Sequence, residues 1–362
     1  MFFYVMDQEC LTCRMGYLGT DLVTEERTSL ELVDPVISSR RDSGMTTIKE
    51  DHYLDALTEF IRRCDQEDVM LAWIKNRCPN ILNVLPIVES SPSNPVRVIG
   101  VGCGNGIMDM QVLREMSSLS AFTQEIAIEP NDAELLRFKA RIEEDEKLKS
   151  FAFDWIHATT EVFEVTMNQL VAEGAFPKVH FVHMLQMLYH ARDMESTITN
   201  YYKALLDGGV MLITIASKKN NDMFKSFLDL EPKRNKQAPK NKKRYSDDVT
   251  RVMRRLGLKY DIENVIYHLD ITECFKEDSK GGKLLLDFIC LTNAAQVYQT
   301  LTTSDRDRLM KRLLDHCEQH PDGRVTVRLS FDAIVVAKSS EQTLLVPSSA
   351  DSSADENKMD AQ

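Results

Sequence analysis

Between residues 96 and 216, short apolar runs alternate with segments whose apolar residues recur every three or four positions. The first pattern is typical of buried β-strands, and the second is typical of helices that bury one face. Strands that alternate with helices form a mostly parallel sheet with helices on both faces. The sequence therefore predicts a doubly wound α/β core, with strands over 96–101, 125–128, 151–156, 179–184 and 210–215 and helices over 107–117, 131–146, 161–173 and 194–206.

The segment before this core has a helical pattern of its own. From Tyr53 onward, residues 46–90 carry apolar residues at helical spacing, which predicts two helices separated near 64–68. These helices could form a cap over a ligand site or simply pack on the core, and the two roles are compatible. Residues 1–45 lack a sustained period, so we expect a disordered leader.

After residue 216 the alternation stops. Residues 217–338 are predicted to add a helix over 247–255 and two strands, over 258–266 and 325–337, which pair as an antiparallel hairpin. Gly208 and Gly209 are predicted to end the helix before the fifth strand. Residues 339–362 are rich in Ser, Asp, Ala and Glu, so this tail is expected to be disordered.

Three glycines alternate directly after the first predicted strand, at Gly102, Gly104 and Gly106. Residues without a Cβ allow a sharp bend and a close approach to a ligand. The helix that begins at Ile107 directs free N–H groups at this turn, which favours a carboxylate or a phosphate. A dinucleotide-binding fingerprint would need another glycine at position 107, so the spacing disfavours a dehydrogenase. A plain surface turn is the alternative.

An acidic residue ends the second predicted strand. Glu129 follows Gly106 by 23 residues, close to the roughly 20-residue separation at which an acid binds the ribose of a nucleoside ligand. A turn and an acid at this spacing together predict a nucleoside-containing cofactor; a solvent-facing glutamate is the alternative.

Charge and composition narrow the function further. The chain has 362 residues, a net charge of −12 and a pI near 5.3, so general nucleic-acid binding is disfavoured. Its eight cysteines are scattered, which favours reduced thiols and a cytoplasmic protein. No apolar run reaches the ~18 residues of a membrane span. Residues 231–244 hold seven Lys or Arg and are expected to form a solvated loop, with a partner-binding patch as the alternative.

These features resemble those of S-adenosylmethionine-dependent methyltransferases of the Rossmann-like class. The segment His-Met-Leu-Gln-Met-Leu-Tyr at 183–189 resembles more narrowly the one after the fourth strand of the histamine N-methyltransferases, as do the segments at 258–260, 269–275 and 285–288. The resemblance runs in order from about Tyr53 to Lys338. It implies one methyltransferase domain over 46–338 with the cofactor-binding core at 96–216.

The resemblance also implies a cytosolic, monomeric, metal-independent enzyme that methylates an imidazole nitrogen of histamine. Gln186 matches a glutamine that binds substrate in the family, and Glu134 stands where the family has a glutamine that contacts the cofactor. The residues that match the cofactor site, with the rest of the glycine turn, are Gly102, Gly104, Gly106, Glu129, Glu134, Thr160 and Leu185.

The substrate side departs from the family. The family holds the amine with a glutamate in the helical cap, where this chain has Gln66, with Glu67 beside it. The family's substrate asparagine has no counterpart in 327–330, and its substrate cysteine falls near Asn241. An ionic hydrogen bond contributes about 1.5–3 kcal/mol, so its loss weakens histamine binding by roughly ten- to a hundredfold unless Glu67 substitutes.

Methyl transfer from a sulfonium to nitrogen needs alignment more than a strong nucleophile. We therefore expect no catalytic dyad and no metal, with Gln186 orienting the acceptor and Tyr189 and Phe288 packing against it. His183 and His190 are expected to be structural, because no acid or cysteine is spaced to form a metal site with them. Cys103 is expected to be a small packing residue.

Two other functional classes have sequence features of their own. A nucleic-acid methyltransferase should carry a basic face and an Asn/Asp-Pro-Pro-aromatic turn after the fourth strand, where this chain has Met-Leu-Gln-Met at 184–187. A protein that binds the cofactor or a protein partner without turnover stays open, because the cofactor residues are intact and the substrate positions are altered.

Overall fold

The structure, a computed structural model, describes residues 50–87, 89–220, 244–289 and 302–339. The predicted leader and tail, Asn241 and most of the basic stretch lie outside these ranges. Helices occupy Glu50–Arg63 (α1), Gln66–Leu82 (α2), Ile107–Met116 (α3), Asp132–Glu144 (α4), Thr160–Ala172 (α5), Met194–Ala204 (α6), Ser246–Arg255 (α7), Lys280–Ile289 (α8) and Thr303–Asp315 (α9). Strands occupy Val96–Val101 (β1), Thr123–Ile128 (β2), Ala152–Ile156 (β3), Val179–Leu185 (β4), Leu205–Ala216 (β5), Asp261–Asp270 (β6), Glu318–Gln319 (β7) and Val325–Ala337 (β8).

These strands form one sheet in the order β3-β2-β1-β4-β5-β8-β6, with the short β7 paired to β8. The strands β1 to β5 pair in parallel, whereas β8 runs antiparallel to both β5 and β6. The predicted Rossmann-like α/β fold, with its C-terminal antiparallel strands, is confirmed. The strand order reverses between β1 and β4, and ligands of such sheets bind in the crevice at that reversal, beyond the carboxyl ends of the strands.

The two faces of the sheet are covered by different helices. One buried apolar cluster joins the strands to α1, α2, α3, α8 and α9, and α4 packs near α3 on the same face. The other cluster joins the strands to α5, α6 and α7. The two N-terminal helices are confirmed; α1 packs against α8 and α2 lies along α3. Both helices therefore pack on the core beside the crevice.

Several predicted boundaries were wrong. Helix α6 ends at Ala204, and Gly208 and Gly209 lie inside β5, where Gly208 N–H and Gly209 C=O bond to Lys338. Strand β6 begins later and runs further than predicted, and α8 and α9 were not predicted. Among the described residues, no helix is both long and apolar enough to cross a membrane.

Candidate active site

The glycine turn between β1 and α3 adopts backbone angles that favour glycine. Gly102, Gly104 and Gly106 all have positive φ, at 66°, 54° and 76°. The turn is anchored to the end of β2, because the N–H groups of Gly102 and Cys103 both donate to the carbonyl oxygen of Ile128. A side chain at these positions would strain the backbone, so the sequence spacing reflects a conformational requirement.

The space around the three glycines differs. A Cβ on Gly106 would lie 1.9 Å from the ring of Phe138, and one on Gly102 would lie 2.7 Å from the Cβ of Met187. A Cβ on Gly104 would meet no atom of the described residues within 4 Å. Gly102 and Gly106 are therefore needed for packing, while Gly104 borders open space that a ligand can occupy.

Glu129 lies beside this open space and is buried. Its Oε2 accepts the N–H of Gly104 at 2.8 Å, and its Oε1 accepts the N–H of Asn131 at 2.8 Å. Burial raises the pKa of the Glu129 carboxyl, while these two N–H groups favour its ionised form. An ionised carboxylate has about four lone-pair sites, so two remain for hydroxyl donors of a ligand.

The other predicted cofactor residues lie at the expected edge of the sheet with differing roles. Glu134, in the first turn of α4, pairs with Arg137. Thr160, the first residue of α5, is buried, and its hydroxyl bonds to Glu164 and Tyr201, both at 2.9 Å. Leu185 ends β4. The hydroxyl of Thr160 is thus engaged within the protein.

Gln186, directly after β4, combines a strained backbone with a fixed amide. Its φ is 57°, and its N–H donates to the carbonyl oxygen of Thr214 at 2.9 Å. The hydroxyl of Tyr189 accepts the N–H of Ala216 at 2.6 Å and donates to Oε1 of Gln186 at 2.7 Å. Nε2 of Gln186 is buried and has no hydrogen-bond partner among the described residues. A buried donor without a partner is costly, which makes this amide a candidate for contact with a ligand.

The start of α2 presents a second unpaired polar atom. Gln66 is 4% exposed, and its Oε1 has no hydrogen-bond partner within the described ranges. Glu67, the next residue, is exposed. Tyr267 of β6, which was not predicted as a site residue, is buried, and its ring lies 6.3 Å from that of Phe331, centroid to centroid. Burial raises the pKa of its hydroxyl.

Phe288 is also buried, on α8. Its ring lies 4.5 Å from that of Phe60 on α1, centroid to centroid. It therefore joins two helices of the same face, and its proposed contact with substrate stays a prediction.

Comparison with known proteins agrees with this geometry. A family model described as a methyltransferase domain matches residues 66–261, more than half of the chain. The chain belongs to this methyltransferase family. Histamine N-methyltransferase B of Xenopus laevis is 26% identical to it over 309 residues, covering 82% of this chain and 99% of that protein. Carnosine N-methyltransferase 2 of Gallus gallus is 27% identical over 297 residues, covering 81% and 88% of the two chains.

Solved structures show a looser likeness. A crystal structure of a Bacillus halodurans methyltransferase aligns with 72% of this chain and 99% of its own, at 13% identity and a TM-score of 0.42. That score is too low to support an argument about function.

The cofactor of this methyltransferase is S-adenosylmethionine, and the residues present fit it. Gly104 leaves open space in which a cofactor would be able to approach the backbone. The two free lone-pair sites of Glu129 suit the two ribose hydroxyls, which are hydrogen-bond donors.

His183 of this methyltransferase is buried, which agrees with the structural role expected of it, but its partners were not predicted. His183 has two acidic partners: its Nδ1 lies 3.5 Å from Asp109 and its Nε2 lies 3.5 Å from Glu125. These acids come from α3 and β2, and contacts between neighbouring strands and helices are not visible in sequence spacing. Cys103 is a buried packing residue, as predicted, and its thiol donates to the carbonyl oxygen of Gly100 at 3.1 Å.

Proposed function

We propose that this methyltransferase transfers the methyl group of S-adenosylmethionine to a nitrogen of a small amine or imidazole compound, with histamine as the leading candidate. The relatives named for histamine and carnosine support this substrate class, because both compounds carry an imidazole ring. The resemblance also leads us to propose a cytoplasmic monomer.

The unpaired Nε2 of Gln186 is the observation that carries this proposal. It lies at the carboxyl end of β4, one residue after Leu185, where ligands of such sheets bind. Because Tyr189 occupies Oε1 of the same amide, the group offered to a ligand is the N–H donor. A polar small molecule with a hydrogen-bond acceptor satisfies it.

The proposed mechanism is an in-line displacement. The cofactor, when bound, supplies a methyl group on a positively charged sulfur. Glu129 and the glycine turn hold the cofactor, while Gln186 binds one polar atom of the substrate. The nitrogen that is methylated keeps its own lone pair free, so Gln186 acts by orienting the substrate. Orientation and exclusion of water contribute up to ~7–11 kcal/mol in such reactions, so no general base or metal is invoked.

The choice among substrates depends on the start of α2. Gln66 offers a neutral acceptor where the histamine methyltransferases offer a carboxylate, so an ammonium group is held less strongly. Glu67 is exposed, which gives no support for its replacing that carboxylate. A substrate whose amine contributes less to binding, such as a larger imidazole compound, is therefore the second candidate within the class.

The experiment is methyl transfer from labelled S-adenosylmethionine to histamine, carnosine and a panel of other amines and azoles. Turnover of at least one imidazole compound is expected. Turnover of a different class would change the substrate, and cofactor binding without any turnover would favour a non-catalytic binding protein.

A variant sharpens this test. Gln66→Glu supplies the missing carboxylate and is expected to raise kcat/KM for histamine about ten- to a hundredfold, the value of an ionic hydrogen bond. Glu67→Gln, at the exposed neighbouring position, should change it less than about twofold. Equal effects of both variants would contradict the role given to Gln66.

A further inference from the structure

A triad of buried ionisable side chains lies beneath the glycine turn, and the proposed reaction does not use it. His183 of β4 stands between Asp109 of α3 and Glu125 of β2, with 3.5 Å from a ring nitrogen to each carboxylate. Their side chains are 1%, 5% and 0% exposed. Groups buried this deeply are normally neutral or paired.

The surroundings of Glu125 indicate that the pairing is ionic. Neither carboxylate oxygen of Glu125 accepts a hydrogen bond from any residue in the described ranges, and Nε2 of His183 donates none there. Two carboxylates on either side of one imidazole repel each other unless the ring carries a proton at each nitrogen or one carboxyl is protonated. Burial raises the pKa of Asp109 to about 6, and the charge of His183 opposes that shift. Burial alone would lower the pKa of His183, but Glu125 and Asp109 raise it.

The backbone makes room for this triad. A Cβ on Gly100 of β1 would lie 2.5 Å from Oε1 of Glu125 and 2.8 Å from Cε1 of His183. Any side chain at position 100 would therefore displace the triad. Gly100 pairs with His183 across the sheet, so β1, β2, β4 and α3 all meet at this point.

The triad touches the cofactor turn directly. Cys103, in the middle of the turn, has its sulfur within 4.8 Å of carboxylate oxygens of Asp109 and Glu125, and it donates to the carbonyl oxygen of Gly100. Asp109 lies in the first turn of α3, whose N-cap is Gly106. The floor of the turn and the start of its helix are thus held by the same charged group.

We propose that His183, as an imidazolium between Asp109 and Glu125, is a positioning residue that holds the glycine turn in its cofactor-binding shape. This role rests on the binding of S-adenosylmethionine at the glycine turn and is independent of which acceptor is methylated. It assigns His183 no contact with the cofactor; the residue acts through the turn.

Within the described part of the chain, few charged or titratable groups face His183. Asp109 faces it from α3 and Glu125 from β2, while the Cys103 thiol lies above and Glu129 acts on that thiol from the end of β2. Burial raises the pKa of Cys103, so the thiol stays neutral. Because the pKa of His183 is raised on folding, its stabilisation is complete below the unfolded value of about 6.5 and is lost as pH rises through the folded value.

The test measures the Kd for S-adenosylmethionine by calorimetry from about pH 7 to about pH 9.5, beside ¹⁵N NMR of the histidine rings. The affinity of the wild type for S-adenosylmethionine should fall about tenfold over the pH range in which NMR shows His183 losing its proton. Asp109→Asn and Glu125→Gln should each move this midpoint about one pH unit or more lower, because one of two opposite charges within about 4–6 Å is removed. His183→Gln should bind about tenfold more weakly at pH 7 and lack the step.

A control separates the triad from other titrations. The cofactor's own amino group titrates near pH 8 in every sample, so the difference between profiles is the readout. His180→Gln, on the same strand, should keep the wild-type step. A neutral His183 at pH 7 by NMR, or the same profile in wild type and all triad variants, would overturn the proposal. The NMR measurement on the wild type decides even if a variant fails to fold.

Discussion

The cofactor side and the proposed substrate side of the crevice satisfy their polar groups in opposite ways. On the cofactor side, Glu129 accepts two backbone N–H groups and the hydroxyl of Thr160 is bonded within the protein. On the substrate side, Gln186 and Gln66 each bury one polar atom without a partner in the described chain. The named groups of the first side are thus already bonded within the protein, whereas each glutamine of the second side has one atom left for a ligand.

This difference has an energetic consequence. A buried polar group without a partner costs about 1–3 kcal/mol, which is recovered when a ligand supplies the missing bond. Substitutions on the cofactor side should therefore damage both the turn and cofactor binding. Substitutions on the substrate side should damage acceptor use with little effect on stability.

The largest expected effect tests the cofactor side. Glu129→Ala removes the two ionic hydrogen bonds proposed for the ribose, each worth about 1.5–3 kcal/mol, so the affinity for S-adenosylmethionine should fall at least about 100-fold. The N–H groups of Gly104 and Asn131 also lose their acceptor, so Tm should fall. Calorimetry and thermal melts measure the two effects.

The matched control is Glu143→Ala, an exposed glutamate on α4, which should change neither quantity measurably. Unchanged cofactor affinity in Glu129→Ala would show that the ribose lies elsewhere.

The next effect tests the substrate side. Gln186→Ala removes the orienting amide, so kcat/KM for the acceptor should fall about 10- to 100-fold, from one lost hydrogen bond and the lost alignment. Cofactor affinity should change less than about threefold, and Tm should change little because an unpaired donor is removed too. Steady-state kinetics and calorimetry provide the readout. Equal losses of acceptor kcat/KM and of cofactor affinity would contradict the proposed role of Gln186 in binding the substrate.

The candidate cofactor residues could be predicted from the sequence because the signals for them are local. The positive-φ turn at Gly102, Gly104 and Gly106 and the acid at Glu129 each follow a strand directly, and strand–helix alternation predicts that their ends converge. The same alternation predicted the central five strands. The prediction that Gly208 ends a helix was wrong. A glycine after a helix is usually a cap, whereas here strand pairing begins at Leu205.

The contacts on the proposed substrate side and within the triad could not be predicted from local signals. The acids beside His183 come from separate elements, α3 and β2. Burial of Gln66 and the fixed amide of Gln186 likewise arise from tertiary packing. Such contacts join residues far apart in the chain, and no spacing rule encodes them.

The smallest expected effect isolates the open space at the turn. Gly104 and Gly174 share a left-handed backbone, with φ of 54° and 69°, and a Cβ on either would meet nothing described within 4 Å. Alanine at either position should cost about 1–2 kcal/mol of folding free energy, because both adopt the same unfavourable φ. Only Gly104→Ala should also weaken the binding of S-adenosylmethionine, by about three- to tenfold, because only its new methyl group enters the space beside Glu129. Chemical denaturation should give the two variants the same loss of folding free energy, and calorimetry should show that only Gly104→Ala loses cofactor affinity. If both variants bind the cofactor like the parent, the space beside Gly104 does not receive the cofactor, and Glu129 must be satisfied by the two backbone N–H groups alone.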